Sequence, residues 1–412
     1  MERPIRVLQV FFSLGLGGAE TRTVGLYENI DRTKVQFDFL THQKNLDKKN
    51  LYYADTISGL GGRIYEIPGF VGSNFFEYKR AVKELFSAHA GEWAFVHGHM
   101  TSTASIYLPI AKKYGSLADK ELMTIAHSRT AGKKPGLNGL VTGYLENRLI
   151  SKRLTDFSFA CSPEAGIGVF GKAASDKGLV RIVPNAVPLA DYFFNETVRA
   201  KFRKEWGAEN RFVIGHVGRF DLLKNHTYLI RVFSALLKRG MRNRPLLVMA
   251  GDGVLMEDIK RLVKGEGIED DVLFLGNRKD ISDIYQGFDM LAFPSFYEGL
   301  PGVVVEAQAS GLPCLISDKI TPMVAVTELV RRKSIDISPE DWADDIEDLI
   351  NSAQNSDEDK ASGFSLKEPR SLRSELASKD LADSGFDAAA QAKLWEDFYL
   401  SKGNTSLGVQ TG

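Results

Sequence analysis

Residues 293–313 read FPSFYEGLPGVVVEAQASGLP, and the rest of the chain is organised around this stretch. The apolar run Met290-Leu291-Ala292-Phe293 before it is short, as a parallel strand covered on both faces is, and Pro294 ends it. Pro301 presets φ at the start of a helix, while Gly299 and Gly302 let the backbone approach a ligand closely. The helix is predicted to run to about Ser310, with Gly311 as a left-handed stop and Pro313 preventing continuation. Three consecutive valines form helix poorly alone, so this helix is expected to depend on burial against a sheet. Two carboxylates enter the unit, Glu298 in the loop and Glu306 in the helix. They flank a helix N-terminus whose free amides suit a phosphate. A carboxylate beside a phosphate is costly unless it binds something else, and sugar or ribose hydroxyls are the obvious donors. The geometry suggests a nucleotide-sugar pocket. The residues alone leave open a plainer reading, with Glu306 a dipole-favoured helix acid and Glu298 a solvated loop residue.

At 412 residues, two domains and a tail are the expectation. With 43% hydrophobic and 25% charged residues the composition is that of a soluble globular protein, and a formal net charge of −1 advertises no nucleic-acid partner. Cys161 and Cys314 are far apart in apolar contexts, which argues against a disulfide framework or structural zinc and fits a reducing cytoplasm. No apolar run approaches a membrane span. Arg3 and Arg6 precede VLQVFFSLGLGGA, but Gln9 interrupts the apolar stretch and no convincing cleavage site follows, so Ile5–Phe12 is read as a strand rather than a signal peptide.

After that strand, Ser13-Leu14-Gly15-Leu16-Gly17-Gly18-Ala19-Glu20 leads into a helix with Val24, Tyr27 and Ile30 on one side. Strand, glycine loop and helix place amides near a phosphate or sugar, or form a plain tight turn. Glu20 stands where the dinucleotide fingerprint has its third glycine, so this is not that fingerprint. The α/β alternation continues through strands at Val35–Leu40, Gly61–Ile67, Ala94–His97 and Leu122–Ala126. His97, His99 and His127 fall at strand ends, where ligand groups sit in such sheets. His97 and His99 are expected to point to opposite sides with no third ligand nearby, and no metal is expected. Arg129, Lys133, Lys134, Arg148, Lys152 and Arg153 make the next stretch basic, either a solvated rim or one suited to anionic headgroups, with no obvious apolar insertion face. Pro184 and Pro188 suit an extended crossing between domains.

The second half opens with VIGHVGRFDLLKNHTYLI, residues 213–230. A strand leads to Gly218. Arg219 and Lys224 then lie on a loop before a helix carrying Leu229, Val232, Phe233 and Leu236 at helical spacing. Two cations beside a glycine at a strand end suit a pyrophosphate, or are surface charges. Further strands end at Gly251-Asp252-Gly253 and Gly276-Asn277-Arg278, where Gly253 and Arg278 are candidates to border a nucleobase. Residues 351–383 read as loosely packed helix and loop. A last helix, 386–400, is expected to put Leu394, Trp395, Phe398 and Tyr399 on one face.

Together YEGLP…EAQASGLP, with its two glutamates separated by seven residues, GRFDLLKN and GGAE resemble the family-4 retaining glycosyltransferases of the GT-B architecture, of the exopolysaccharide and capsule type. The resemblance covers almost the whole chain and is strongest over 213–317. It departs at Pro188, where family members commonly carry aspartate. It implies two Rossmann-like doubly wound α/β domains facing each other across a cleft: 1–188 on the acceptor side and 189–385 binding the donor. The helix 386–402 would pack back on the first domain, and 403–412 would form a disordered tail. It further implies transfer of a sugar, with retention, from a nucleoside diphosphate sugar, UDP-linked by family habit, to a hydroxyl of a glycan or lipid-linked acceptor. No cofactor is required on this reading. Arg219 and Lys224 would hold the diphosphate with amides near Gly299, Leu300, Pro301 and Gly302 and with Gly17 and Gly18. Glu306 would hold ribose hydroxyls, Glu298 sugar hydroxyls, and His99 would face the transferred sugar. A cytoplasmic protein, peripheral at the inner membrane face, is the expected setting. A nucleotide-sugar 2-epimerase of the same fold and a non-catalytic nucleotide-sugar-binding partner are the alternatives.

Overall fold

The computed structural model describes residues 3–15, 17–43, 51–129, 143–146, 148–149, 153–241, 243–354 and 367–405. Lys133, Lys134 and Lys152 of the basic stretch lie outside the described residues. The chain divides into two compact units, Met1–Val187 with Asp387–Gly412, and Pro188–Phe386.

The first unit holds a parallel sheet of β1 (Ile5–Phe11), β2 (Val35–Thr41), β3 (Ile64–Glu66), β4 (Phe95–Gly98), β5 (Met123–Ser128), β6 (Phe157–Ala160) and β7 (Arg181–Ile182), in the order β3-β2-β1-β4-β5-β6-β7. The second holds β8 (Val213–Val217), β9 (Leu246–Ala250), β10 (Val272–Gly276), β11 (Met290–Phe293), β12 (Cys314–Ser317) and β13 (Val330–Lys333), in the order β10-β9-β8-β11-β12-β13. The strands VIGHV, LLVMA and MLAF are buried along their whole length, which is why they read as continuous apolar runs rather than alternating ones. Each sheet reverses its strand order once, between β1 and β4 and between β8 and β11. In open α/β sheets ligands bind outside the carboxyl ends of the strands at that reversal. Gly17, Gly18 and His99 follow β1 and β4; Arg219, Lys224, Glu298 and Glu306 follow β8 and β11.

The helix Ala388–Leu400 belongs to the first unit, where Trp395, Phe398 and Tyr399 join Phe37, Phe95 and Phe159 in one apolar core. Leu394 does not share that face; it is half-exposed. The buried stripe runs Ala388, Gln391, Ala392, Trp395, Phe398, Tyr399, the three- and four-residue steps that a helix places on one side. Residues 403–405 depart from the expected disordered tail, and 406–412 lie outside the described residues. Gly403 is buried, its amide bonds to Phe398 O at 2.9 Å, and its φ is +84°.

The expectation of loose packing over 351–383 is corrected for Arg370–Asp383, a helix with Ser374, Ala377, Ser378 and Leu381 buried. Its anchor is polar. The buried Arg370 guanidinium donates to the carbonyls of Ser310, Gln286, Phe288 and Tyr285 at 2.7–3.0 Å. At Gly311 a Cβ would stand 2.6 Å from Arg370 O and 2.9 Å from Ser374 N, and φ is +67°. Gly311 therefore ends the helix Gly302–Ala309 and also admits this later helix.

Candidate active site

In the second unit the chain leaving β8 is zipped to the chain leaving β9. Gly218 N donates to Ala250 O at 2.9 Å and Phe220 N to Asp252 O at 3.0 Å. Gly251 and Gly253 make that approach possible, since a Cβ would stand 2.1 Å from Gly218 O at the first and 2.4 Å from Phe220 O at the second. Gly253 thus has a backbone reason to be glycine. Asp221 then caps a single turn, Leu222–Lys224, accepting from Leu223 N at 3.0 Å and Lys224 N at 3.3 Å.

That turn aims Lys224 at the loop after β11. Lys224 Nζ lies 2.5 Å from Glu298 Oε1, with the two side chains 18% and 17% exposed, and 4.9 Å from the Phe293 ring centroid. The two motif residues, far apart in sequence, meet because β8 and β11 are neighbours. Arg219 stands apart from this pair. Its side chain is 75% exposed and its Nε bonds Asp221 Oδ2 at 3.0 Å. Arg278 is paired with Asp280 of its own loop at 2.8 and 2.5 Å.

The helix Gly302–Ala309 begins after Pro301, and Leu300 packs beneath the loop at 4% exposure. Val304 and Val305 are fully buried, so packing stabilises this short helix against its valines' poor propensity. Glu306 is buried and accepts from the Tyr285 hydroxyl at 3.0 Å. Burial, reinforced by Glu306, holds the Tyr285 hydroxyl well above its ordinary pKa, so it stays protonated and a donor. Tyr285 carries no motif, and nothing in the sequence marked it. His216 and His226 were also missed. They lie ring to ring at 4.6 Å, both near Lys224, and burial holds them neutral, His216 down to about 4 and His226 to about 2. His216 Nδ1 donates to Ala292 O at 2.9 Å.

In the first unit Gly17 caps the helix Gly18–Asn29, and the Glu20 carboxylate folds back over it; a Cβ on Gly17 would stand 2.1 Å from Glu20 Oε2. The histidines correct the sequence expectation. His97 and His99 lie on the same side, their rings stacked at 4.3 Å, and His127 joins them, His97 Nε2 meeting His127 Nδ1 at 3.0 Å. A strand's side-chain period of two puts i and i+2 on one face, and β5 beside β4 brings His127 alongside. One ring nitrogen from each of the three lies within 4.8 Å of those of the other two. Five of the six ring nitrogens are engaged with each other or with neighbours, and His127 Nε2 is buried with no hydrogen-bond partner among the described residues. His97 Nδ1 meets Tyr399 OH at 2.7 Å, His99 Nε2 meets Gln9 Oε1 at 2.8 Å, and Arg129 Nε donates to His99 Nδ1 at 3.3 Å. That last bond fixes the His99 tautomer, with its proton on Nε2 toward Gln9. Burial, with the Arg129 charge beside them, keeps all three imidazoles neutral. A sugar hydroxyl reaches a His99 nitrogen only by displacing Gln9 or Arg129.

Two doubly wound α/β units, with glycine turns at the strand-order reversal of the first and a lysine–glutamate pair at that of the second, have the architecture of the GT-B glycosyltransferases. The family model "Glycosyl transferases group 1" matches residues 198–362. EpsF of Bacillus subtilis, whose name gives the class glycosyltransferase and no substrate, is 36% identical over 345 residues, covering 83% of this chain and 86% of its own. The chain belongs to the group 1 glycosyltransferases. A shorter match, 31% identical over 141 residues and 34% of this chain and 36% of the relative, is to the Escherichia coli UDP-Gal:alpha-D-GlcNAc-diphosphoundecaprenol alpha-1,3-galactosyltransferase. Among solved structures, Anabaena HepE in complex with UDP-glucose superposes with a TM-score of 0.74 at 18% identity, over 97% of this chain and 100% of that one. Among the described residues no helix is long and apolar enough to cross a membrane.

Proposed function

We propose that the protein moves a sugar, with retention of configuration, from a UDP-linked donor to a hydroxyl of a glycan or lipid-linked acceptor in bacterial polysaccharide assembly. The reaction would take place in the cytoplasm at the inner face of the membrane. The observation that carries the donor half is the Lys224–Glu298 contact at 2.5 Å, on the rim where Glu306 and Tyr285 also meet. A cation for phosphate and a carboxylate for hydroxyls stand side by side on this rim, and the pair must part for a sugar 1-diphosphate to take its phosphate to one and its hydroxyls to the other. The UDP-glucose complex of HepE and the UDP-galactose donor and diphosphoundecaprenol acceptor in the Escherichia coli relative's name support the choice of nucleotide and acceptor.

In this reaction the donor's C1–O bond breaks, its electron pair leaves with the diphosphate, and the acceptor oxygen bonds C1 from the same face. The acceptor's proton passes to the departing diphosphate. Arg219 and Lys224, with the amides at Gly299–Gly302, stabilise the growing charge. Glu298 holds the sugar hydroxyls and Glu306 the ribose; Gly253 and Arg278 border the base. Gly17, Gly18 and His99 hold the family positions that meet the substrate. No catalytic metal enters this scheme.

A thermal-shift screen of UDP, GDP and ADP tests the reading, followed by hydrolysis assays with the matching sugar nucleotides. Stabilisation by UDP and release of one sugar is the expected result. A sugar isomer formed without acceptor indicates an epimerase, and affinity without turnover a binding partner. No shift with any nucleotide in a folded sample overturns the proposal.

A further inference from the structure

The two histidines beside Lys224 have no part in the scheme above. His216 lies in β8, fully buried, with its Nδ1 on Ala292 O at 2.9 Å. A carbonyl oxygen only accepts, so Nδ1 carries the single proton of this neutral ring and Nε2 is a bare acceptor. Nε2 is buried and has no hydrogen-bond partner among the described residues. Burying an acceptor unpaired is costly, so a folded chain that keeps one has a use for it.

Nε2 looks toward the Lys224 side chain. A Cβ placed on Gly218 would stand 3.4 Å from His216 Nε2 and 3.3 Å from both Cδ and Cε of Lys224. The histidine nitrogen and the lysine stem therefore border one small space beside Gly218. Both groups also flank Phe293, whose ring stacks on His216 at 5.5 Å and lies 4.9 Å from Lys224 Nζ. His226 packs edge-on to His216 at 4.6 Å and stacks on Phe220 at 4.0 Å, with neither of its nitrogens hydrogen-bonded among the described residues. Two bonds fasten the loops around this space: Asn225 Nδ2 donates to Pro294 O at 3.1 Å, and Phe296 N to Leu223 O at 2.9 Å.

In the structure the Lys224 ammonium is on Glu298. When a diphosphate draws it away, an ammonium with three N–H donors needs an acceptor on the protein side to fix its direction. A carboxylate in that place would cancel the charge that the phosphate is to meet. A neutral imidazole nitrogen orients the ammonium and leaves its charge whole. We propose that His216 is a positioning residue for Lys224: its Nε2 accepts from the ammonium once Glu298 is given up, and the remaining N–H groups are aimed at the donor's diphosphate. This role deepens the proposed function and rests on its assignment of Lys224 to the phosphate.

The test is a double-mutant cycle on UDP affinity, measured by calorimetric titration. His216→Asn keeps a donor for Ala292 O and has nothing at the Nε2 position. It should weaken UDP about tenfold in the wild-type background and change nothing in Lys224→Gln, because its effect passes through the ammonium. No loss in wild type overturns the inference. So does an equal loss in both backgrounds, which would make His216 a packing residue only. Nitrogen NMR of Glu298→Gln without nucleotide reads the contact separately, since Lys224 there has no carboxylate to hold it. His216 Nδ1 should carry the proton, and the Nε2 resonance should move toward that of an unbonded ring nitrogen when Lys224→Gln is added. A proton on Nε2, or an Nε2 that does not respond, overturns the inference whatever UDP does. If UDP binds Lys224→Gln as tightly as wild type while the Nε2 response is present, the donor reading falls and the contact stands.

Discussion

Glu298→Gln should separate the affinity for free diphosphate from the affinity for the sugar donor. In the structure Glu298 already holds the ammonium that the proposed function assigns to the donor's phosphate, at 2.5 Å and mostly out of solvent. Two unit charges about 4 Å apart attract by about 4 kcal/mol at an effective dielectric near 20. Desolvation and side-chain ordering offset most of that, leaving about 1–3 kcal/mol to give up when a diphosphate takes Lys224. UDP brings negative charge beside Glu298 and no hydroxyl to satisfy it. A UDP-sugar brings hydroxyls that donate to the carboxylate as Lys224 turns away. The glutamine keeps shape and removes the charge, so UDP should bind about tenfold tighter, the low end of that range. The sugar donor gains the same relief but loses charge-assisted hydrogen bonds of about 1.5–3 kcal/mol, so its affinity should stay level or fall, and transfer should drop about a hundredfold. Calorimetric titration of UDP and of the sugar donor into wild type and variant measures both. If UDP binds the variant no better, while its melting temperature matches wild type, then the Lys224–Glu298 pair is not in the path of the phosphate and the donor-site assignment fails.

Three further outcomes follow from other parts of the molecule. Six histidines are held neutral by burial, His42, His97, His99 and His127 in the first unit and His216 and His226 in the second. Their folded pKa lies below the unfolded value of about 6.5, so the unfolded chain binds more protons as pH falls, and stability is full above that value and lost below it. At pH 5 the loss is about 2 kcal/mol per histidine, hence about 8 for the first unit and about 4 for the second, and calorimetry should show the first unit melting earlier on acidification. Arg370→Ala leaves the carbonyls of Ser310, Gln286, Phe288 and Tyr285 without their donor and should cost the second unit about 3–5 kcal/mol in urea unfolding, with the first unit's transition unchanged. Tyr285→Phe removes the hydroxyl on Glu306 and should raise the KM for donor about tenfold with kcat nearly kept; equal losses in both would place Glu306 in the chemical step rather than in holding the nucleotide.

The second unit was legible because its decisive stretch is punctuated. Pro294, Pro301, Gly311 and Pro313 bound one strand and one short helix, and β11 and the helix Gly302–Ala309 fall where those residues put them. Joining Lys224 to Glu298 needed the strand order, which a doubly wound pattern supplies by placing β11 beside β8. The helix Arg370–Asp383 was not legible, because its anchor is one arginine on main-chain carbonyls, while Leu372 and Leu376 face outward and blur the apolar period. The histidines failed for a different reason. Their meeting depends on the β4–β5 register, which no local pattern encodes, and the period of two along β4 argues for one shared face.

Glu20 and Glu298 have one arrangement in common. Glu20 disqualified the first glycine loop as a dinucleotide fingerprint. In the structure it stands three residues after the capping Gly17 and reaches back over it, the position from which a glutamate completes a helix start. Glu298 likewise lies on Lys224. In each unit a carboxylate of the chain itself occupies the positive end to which a phosphate is assigned. A rim of bare amides and ammonium groups would attract any anion, including the free diphosphate left after transfer. On the proposed reading, a ligand that offers hydroxyls to these carboxylates in exchange gains over one that does not, and that would favour a sugar-bearing donor over its spent nucleotide.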